Sequence, residues 1–194
     1  MAIIEAIQTT YLEVDTAEAT AIVWDDIPST FKHLEIRFNA KGNRNDTAHN
    51  DDVLMRFGNG HSGDHDTDSG SNYAYHHMYQ HGTTALVYRL ASQSGIYIPR
   101  ISSTKAGNSN YSMSVMTIMD YANTSKATTV HGYSQMSYSV TSTQSTAHNE
   151  ILTRYGSGTW HNATNNRVNT IWLQPVDGGS WYRGSSFTLY GIGE

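Results

Sequence analysis

Apolar residues in this chain alternate or come in short runs, and polar turn signals interrupt them every 8–15 residues. That spacing leaves no room for an amphipathic helix of ordinary length and favours short strands. Leu34, Ile36 and Phe38 alternate with Glu35 and Arg37, the pattern of a half-buried strand. The same logic places strands at Ile3 to Val14, Thr20 to Ile27, Val53 to Phe57, Tyr73 to Tyr79, Ala85 to Leu90 and Ile96 to Ile101. Ser112 to Tyr121, Thr128 to Tyr138, Ile151 to Tyr155, Val168 to Val176 and Ser186 to Ile192 complete the set. Eleven or twelve strands predict an all-β chain of two stacked antiparallel sheets. Met113, Met116 and Met119 recur at helical spacing, but Tyr111, Met113, Val115, Thr117, Met119 and Tyr121 also alternate. A strand is favoured there, with the methionines filling the core and Ser112 and Ser114 facing solvent.

Composition agrees. Ser, Thr and Asn supply 57 of 194 residues, charged residues only 15%, and Tyr is abundant at 13. A helical bundle would want Ala, Glu, Lys and Leu instead, whereas Thr and Tyr suit sheet faces and Ser, Asn and Gly suit turns. A net charge of −5 with no Lys/Arg cluster argues against a nucleic-acid partner. No apolar run approaches the roughly 20 residues of a helical membrane span. The opening Met-Ala-Ile-Ile-Glu-Ala lacks the basic-then-apolar order of a secretory signal. The absence of Cys excludes disulfides, thiolate metal sites and a Cys nucleophile.

The most irregular stretch, Gly58 to Asn72, reads as one long exposed loop, a kind of segment that is often functional. Within it Asp64, Asp66 and Asp68 alternate, which makes them a candidate calcium site, because hard cations gather several oxygens. The spacing departs from an EF-hand, since Ser69 precedes Gly70 and no suitably placed Glu follows; a solvated acidic loop is the alternative. His61, His65, His76, His77 and His81 crowd one stretch. His76 and His77 are adjacent on a strand and face opposite ways, so surface or interface imidazoles fit better than one metal site, and an interface built on them would weaken near pH 6. Trp160, Trp172, Trp181 and Tyr182 are candidate interface or ligand rings, as are the imidazoles of His61 and His65. Trp172 lies on the outer face if Ile171 and Leu173 face inward; a strand buried on both sides is the alternative. No nucleophile elbow, zinc-protease or phosphate-loop motif occurs, and no pair of carboxylates suggests a glycosidase, so no catalytic residue is nominated.

The string Gly70-Ser71-Asn72-Tyr73-Ala74-Tyr75-His76 follows a strand that ends Met55-Arg56-Phe57-Gly58-Asn59-Gly60. Later come Asp120-Tyr121-Ala122-Asn123-Thr124-Ser125-Lys126, then Gly184-Ser185-Ser186-Phe187-Thr188-Leu189-Tyr190-Gly191-Ile192. This order, from about residue 33 to 192, resembles a family of small jelly-roll proteins and domains encoded by tailed bacteriophages, common among phages of marine bacteria. The motifs are structural. Gly70 can supply a left-handed turn into the strand at Tyr73, Asn123 can turn the chain through its side chain, and Phe187 and Leu189 face the core. The His- and Asp-rich loop before Ser71, and residues 144–155, depart from the pattern.

The resemblance implies a single jelly-roll domain over 1–194, with residues 1–30 expected as a strand arm for contacts between subunits. It implies a non-enzymatic virion component. A capsid decoration (cement) protein is the leading expectation, with the major capsid protein and further copies of itself, as a homotrimer, for partners. The alternative is a tail-fibre or receptor-binding module that contacts tail proteins and a host surface glycan. Apart from the candidate calcium no cofactor is expected, and neither nucleic acid nor membrane is an expected partner.

Overall fold

A computed structural model describes residues 3–13, 18–44, 46–59, 66–81, 83–107, 109–139, 149–161, 167–177 and 179–193. The regular elements of the described chain are all strands apart from one short 3₁₀ turn at Thr104–Ala106. The strands are β1 (Ile3–Tyr11), β2 (Ile22–Trp24), β3 (His33–Ala40), β4 (Asn50–Gly58), β5 (Tyr73–His81) and β6 (Thr84–Gln93). Then follow β7 (Arg100–Ser102), β8 (Ser112–Met119), β9 (Thr128–Ser139), β10 (Asn149–Trp160), β11 (Thr170–Pro175) and β12 (Ser186–Gly193). Eight of them form one antiparallel sheet in the order β1-β12-β3-β8-β9-β10-β5-β6, and four form a second, β2-β11-β4-β7. The result is an antiparallel β-sandwich of jelly-roll type, as the sequence predicts.

Alternation sets the inner face. Leu34, Ile36 and Phe38 of β3 and Phe187 and Leu189 of β12 are buried, and Phe57, Ile171 and Leu173 of the small sheet meet them. Phe38, Trp181 and Phe187 pack ring on ring, with the Trp181–Phe187 centroids 4.7 Å apart in an edge-on contact. β1 pairs with β12 of its own chain, so residues 3–11 extend the large sheet.

The two sheets differ in width. Strands sit roughly 4.8 Å apart, so eight strands are about twice as wide as four. One sheet therefore cannot cover the other. Burial fades toward β6, where every residue from Thr84 to Ser92 is exposed.

On β8 the expected faces are reversed. Ser112, Ser114, Met116 and Ile118 point inward, whereas Met113 is 45% exposed and Met119 is also outside. The cause is β7, which approaches the sheet closely and carries backbone donors that need partners. Ser112 Oγ accepts from the Ser102 amide at 2.6 Å, and Ser134 Oγ accepts from the Arg100 amide at 3.0 Å. A methionine could not meet that demand. β10 also runs beyond the expected Ile151 to Tyr155, because Gly156 and Gly158 read as turn residues but are strand residues. A Cβ at Gly158 would lie 2.9 Å from Ile96, so glycine is what lets the segment before β7 press onto the sheet.

Candidate functional site

Where the large sheet runs out from under the small one, its inner face changes character. On β5 the inward positions are Tyr75, His77 and Tyr79; β6 sets Leu90, Tyr88 and Leu86 opposite them in register. β10 contributes Arg154, across from Tyr79. From the small-sheet side come Asp52 of β4, Arg100 of β7 and Tyr97 just before it. All of these residues except Leu86 line a cleft of about 320 Å³.

Its rings are ordered. Tyr79 and Tyr88 stack nearly parallel with centroids 5.7 Å apart, and Tyr75 stacks on His77 at 5.9 Å. Tyr97 leans on Tyr75 at 5.5 Å. Both guanidinium groups lie over Tyr79, Arg100 at 5.3 Å and Arg154 at 5.6 Å.

Asp52 bridges the two arginines. Its Oδ1 accepts from Arg100 Nε at 2.9 Å and from Arg154 Nη1 at 3.0 Å, and its Oδ2 accepts from Arg100 Nη2 at 3.3 Å. Burial pushes the Asp52 carboxyl up, but the Arg100 hydrogen bond and the two positive charges outweigh it and hold it below the ordinary carboxylate value. Arg154 is only 1% exposed, and burial lowers its pKa; a guanidinium nonetheless stays charged. Burial lowers His77 to about 4, helped by the Arg154 charge, so its imidazole is neutral near pH 7. The cleft thus carries two positive charges and one negative.

Two buried polar atoms here have no hydrogen-bond partner among the described residues, Arg154 Nε and His77 Nδ1. A neutral imidazole has one donor nitrogen and one acceptor nitrogen. The cleft therefore sets a floor of tyrosines beside a buried charge cluster.

Of the histidines singled out in the sequence His77 lines this cleft, whereas among the described residues the nominated tryptophans, Tyr182, Asp66 and Asp68 do not. Trp160 and Trp181 are interior, so neither offers a ring to a partner. Trp160 stacks on Tyr73 at 6.2 Å, and Trp181 Nε1 donates to the Leu173 carbonyl at 3.2 Å. Trp172 does sit on the outer face between buried Ile171 and Leu173, half-covered by the Arg56 guanidinium 5.1 Å from its ring. Tyr182 packs against Lys41, whose Nζ is 5.0 Å from the ring.

Asp68 has a structural task. Its Oδ2 accepts from Trp160 Nε1 at 2.7 Å and Asn72 Nδ2 at 2.8 Å, and its Oδ1 accepts from the Gly70 amide at 2.8 Å. Burial raises its pKa, but these hydrogen bonds, with Trp160's the largest, hold it below the ordinary value. Gly70 is not among the positive-φ glycines; a Cβ there would press at 3.1 Å on both Asp68 and Asn72, so the glycine makes room for that contact. Asp66 is described, whereas His61, Asp64 and His65 lie outside the described residues. Among the described residues no three metal-ligating side chains converge.

The cleft did leave a trace in the sequence. Rings at Tyr75, His77 and Tyr79 occupy alternate positions of one strand, and Arg154 stands in the apolar run Ile151-Leu152-Thr153-Arg154-Tyr155. An inward arginine needs a carboxylate, and Asp52 is too distant in sequence to be paired with it by inspection.

No family model and no curated protein matches the chain. Solved structures give faint likenesses. The potassium-bound carbohydrate recognition domain of Emp46p is 8% identical over 86% of this chain and 74% of that one, with a TM-score of 0.17. The carbohydrate recognition domain of Emp47p is 6% identical over 96% and 95%, with a TM-score of 0.15. A family 16 endo-glucanase from Bacteroides ovatus is 9% identical over 80% of each chain, with a TM-score of 0.15. Likenesses this faint carry no argument.

Proposed function

We infer that the protein is a glycan-binding module of a virion surface and that the tyrosine-lined cleft is its saccharide site. The carrying observation is the stacked pair Tyr79 and Tyr88, which lines the cleft beside Arg100 and Asp52. The C–H faces of a sugar ring suit tyrosine, and its hydroxyls can hydrogen-bond Asp52 and Arg100, whose side chains are partly exposed. Asp52 supports binding over catalysis. It is the cleft's one described carboxylate, it is held ionised, and general-acid work needs a proton that it lacks. The virion placement rests on the family resemblance.

A glycan array tests the reading, followed by titration of any hit against Tyr88→Ala. Tyr88 is half-exposed on an edge strand, so its loss leaves the fold intact. Binding that falls at least tenfold supports the site; an array without a hit, or a hit indifferent to Tyr88, defeats it.

A second reading, a shell decoration protein, draws on a different observation. Across the outer face Val87, Met78, Tyr155, Tyr133 and Val115 line up strand by strand in register, an apolar row suited to burial against other subunits. Counting copies per particle by quantitative mass spectrometry separates the two. Hundreds of copies favour the shell, and a few dozen or fewer favour the tail and the receptor-binding role.

A further inference from the structure

The two edges of the large sheet are built differently. Edge strands present unpaired amides and carbonyls, and proteins usually blunt them with bulges, charges, proline or a covering element. β1 is blunted: its pairing shifts register between Ala6 and Gln8, and Glu5 adds a charge. β6 has no such protection along seven residues. From Thr84 to Leu90 its pairing with β5 is unbroken, and the segment Thr-Ala-Leu-Val-Tyr-Arg-Leu contains no Pro, no Lys and one charge, Arg89. Both of its faces are exposed, with Val87 at 74%. Among the described residues nothing lies on its far side.

We propose that β6 pairs antiparallel with β6 of a second copy, making a two-fold dimer with one continuous sixteen-stranded sheet. The segment is complementary to itself. In the register centred on Val87, each Val87 faces its own copy, Leu86 faces Tyr88, Ala85 faces Arg89 and Thr84 faces Leu90. Val87 then meets Val87 on the outer face and Leu86 meets Tyr88 on the inner one, and the two Arg89 side chains are never opposite each other, so no like charges meet. On the outer face the apolar row that starts at Val87 runs on into its counterpart. A β6–β1 contact would be head-to-tail and would have to pair across the β1 bulge; the isologous contact avoids it.

An antiparallel edge contact of this kind has its two-fold axis perpendicular to the sheet. Both inner faces therefore lie on the same side, and the two clefts become neighbours across the joint, each bordered by Tyr88 and Leu90. A dimer would offer a long polymer two sites at once, and such pairing raises avidity without any new contact.

The chain contains no cysteine, so single-cysteine variants give an unambiguous readout. Under mild oxidation V87C is expected to form a disulfide-linked dimer, because facing residues of an antiparallel pair bring their Cβ atoms within disulfide reach. M113C, exposed on a central strand of the outer face, is expected not to. Sedimentation of the unaltered chain should give twice the 21.5 kDa mass, and V87K should sediment as a folded monomer with an unchanged circular dichroism spectrum. A monomer at all concentrations overturns the proposal, as does a trimer, which isologous pairing cannot build. So does a V87C chain that cross-links no faster than M113C, or a V87K chain that stays dimeric.

Discussion

The inner face of the large sheet has a sealed end and an open end. At β12 and β3 it is built of Phe187, Leu189, Leu34, Ile36 and Phe38, roofed by the small sheet and by Trp181. At β10, β5 and β6 the same face is built of Arg154, Tyr75, His77, Tyr79 and Tyr88, and the cleft over it is bordered by Asp52, Tyr97 and Arg100. Both ends follow the same alternation. What differs is the width of cover, and the chemistry of the side chains follows the cover. Under a full roof hydrophobic burial does the work. Under a partial roof polar groups remain and must find partners, and two buried ones have none among the described residues.

Removing a ring at each end should break the symmetry between them most clearly. Trp181→Ala at the sealed end is expected to cost about 3–5 kcal/mol in denaturant unfolding, since it leaves a cavity among Phe38, Phe187 and the small sheet. Asp52→Ala at the open end is next, about 2–4 kcal/mol, because it strands the buried Arg154 charge. The double change Asp52→Ala with Arg154→Met should recover most of that loss in the same measurement; no recovery would mean that Asp52 matters through something other than charge.

Asp68→Ala belongs to neither end and is expected to cost about 2 kcal/mol by leaving the buried Trp160 indole without its acceptor. Thermal melts with and without a calcium chelator sharpen this. A hydrogen-bonding role for Asp68 predicts the same melting temperature in both, and a chelator-dependent drop would point to the metal site expected from the sequence.

The open end should also make stability depend on pH. His77 titrates at about 4 in the fold and near its ordinary 6.5 when unfolded, so between these values the unfolded chain binds more protons. Its contribution is complete above pH 6.5, is lost progressively as pH falls toward 4, and is constant below that. His77→Gln should flatten this part of the stability profile in urea unfolding. Arg154, Asp52 and Arg100 surround the ring and keep their charges through that window. The smallest effect on stability is expected for Tyr88→Ala, about 0.5 kcal/mol or less, since the ring is half-exposed at an edge.

Much of the architecture was legible in the residues. Nearly every strand falls where alternation puts it, because a period of two survives whatever the strand packs against. Phe187 and Leu189 were placed inward correctly, and Asn123 does turn the chain, its Oδ1 accepting from the Ser125 amide at 2.8 Å. The failures have identifiable causes. Alternation says that two faces differ but does not say which is inside, and β8 resolved that choice by the hydrogen-bonding needs of β7, so serine won over methionine. Of the nominated tryptophans Trp160 and Trp181 are interior, because large rings bury well, whereas Trp172 does lie on the outer face.

The amino-acid sequence by itself determined the class of fold, the number of strands and the alternation of faces along each, because these depend on neighbours two residues away. Only the tertiary structure decided which end of the wide sheet stays uncovered, that Asp52 meets Arg154 beneath Tyr79, and that β6 is left as a bare edge. Those outcomes depend on how eight strands stack against four, and sheet width is set by long-range pairing that no local segment encodes.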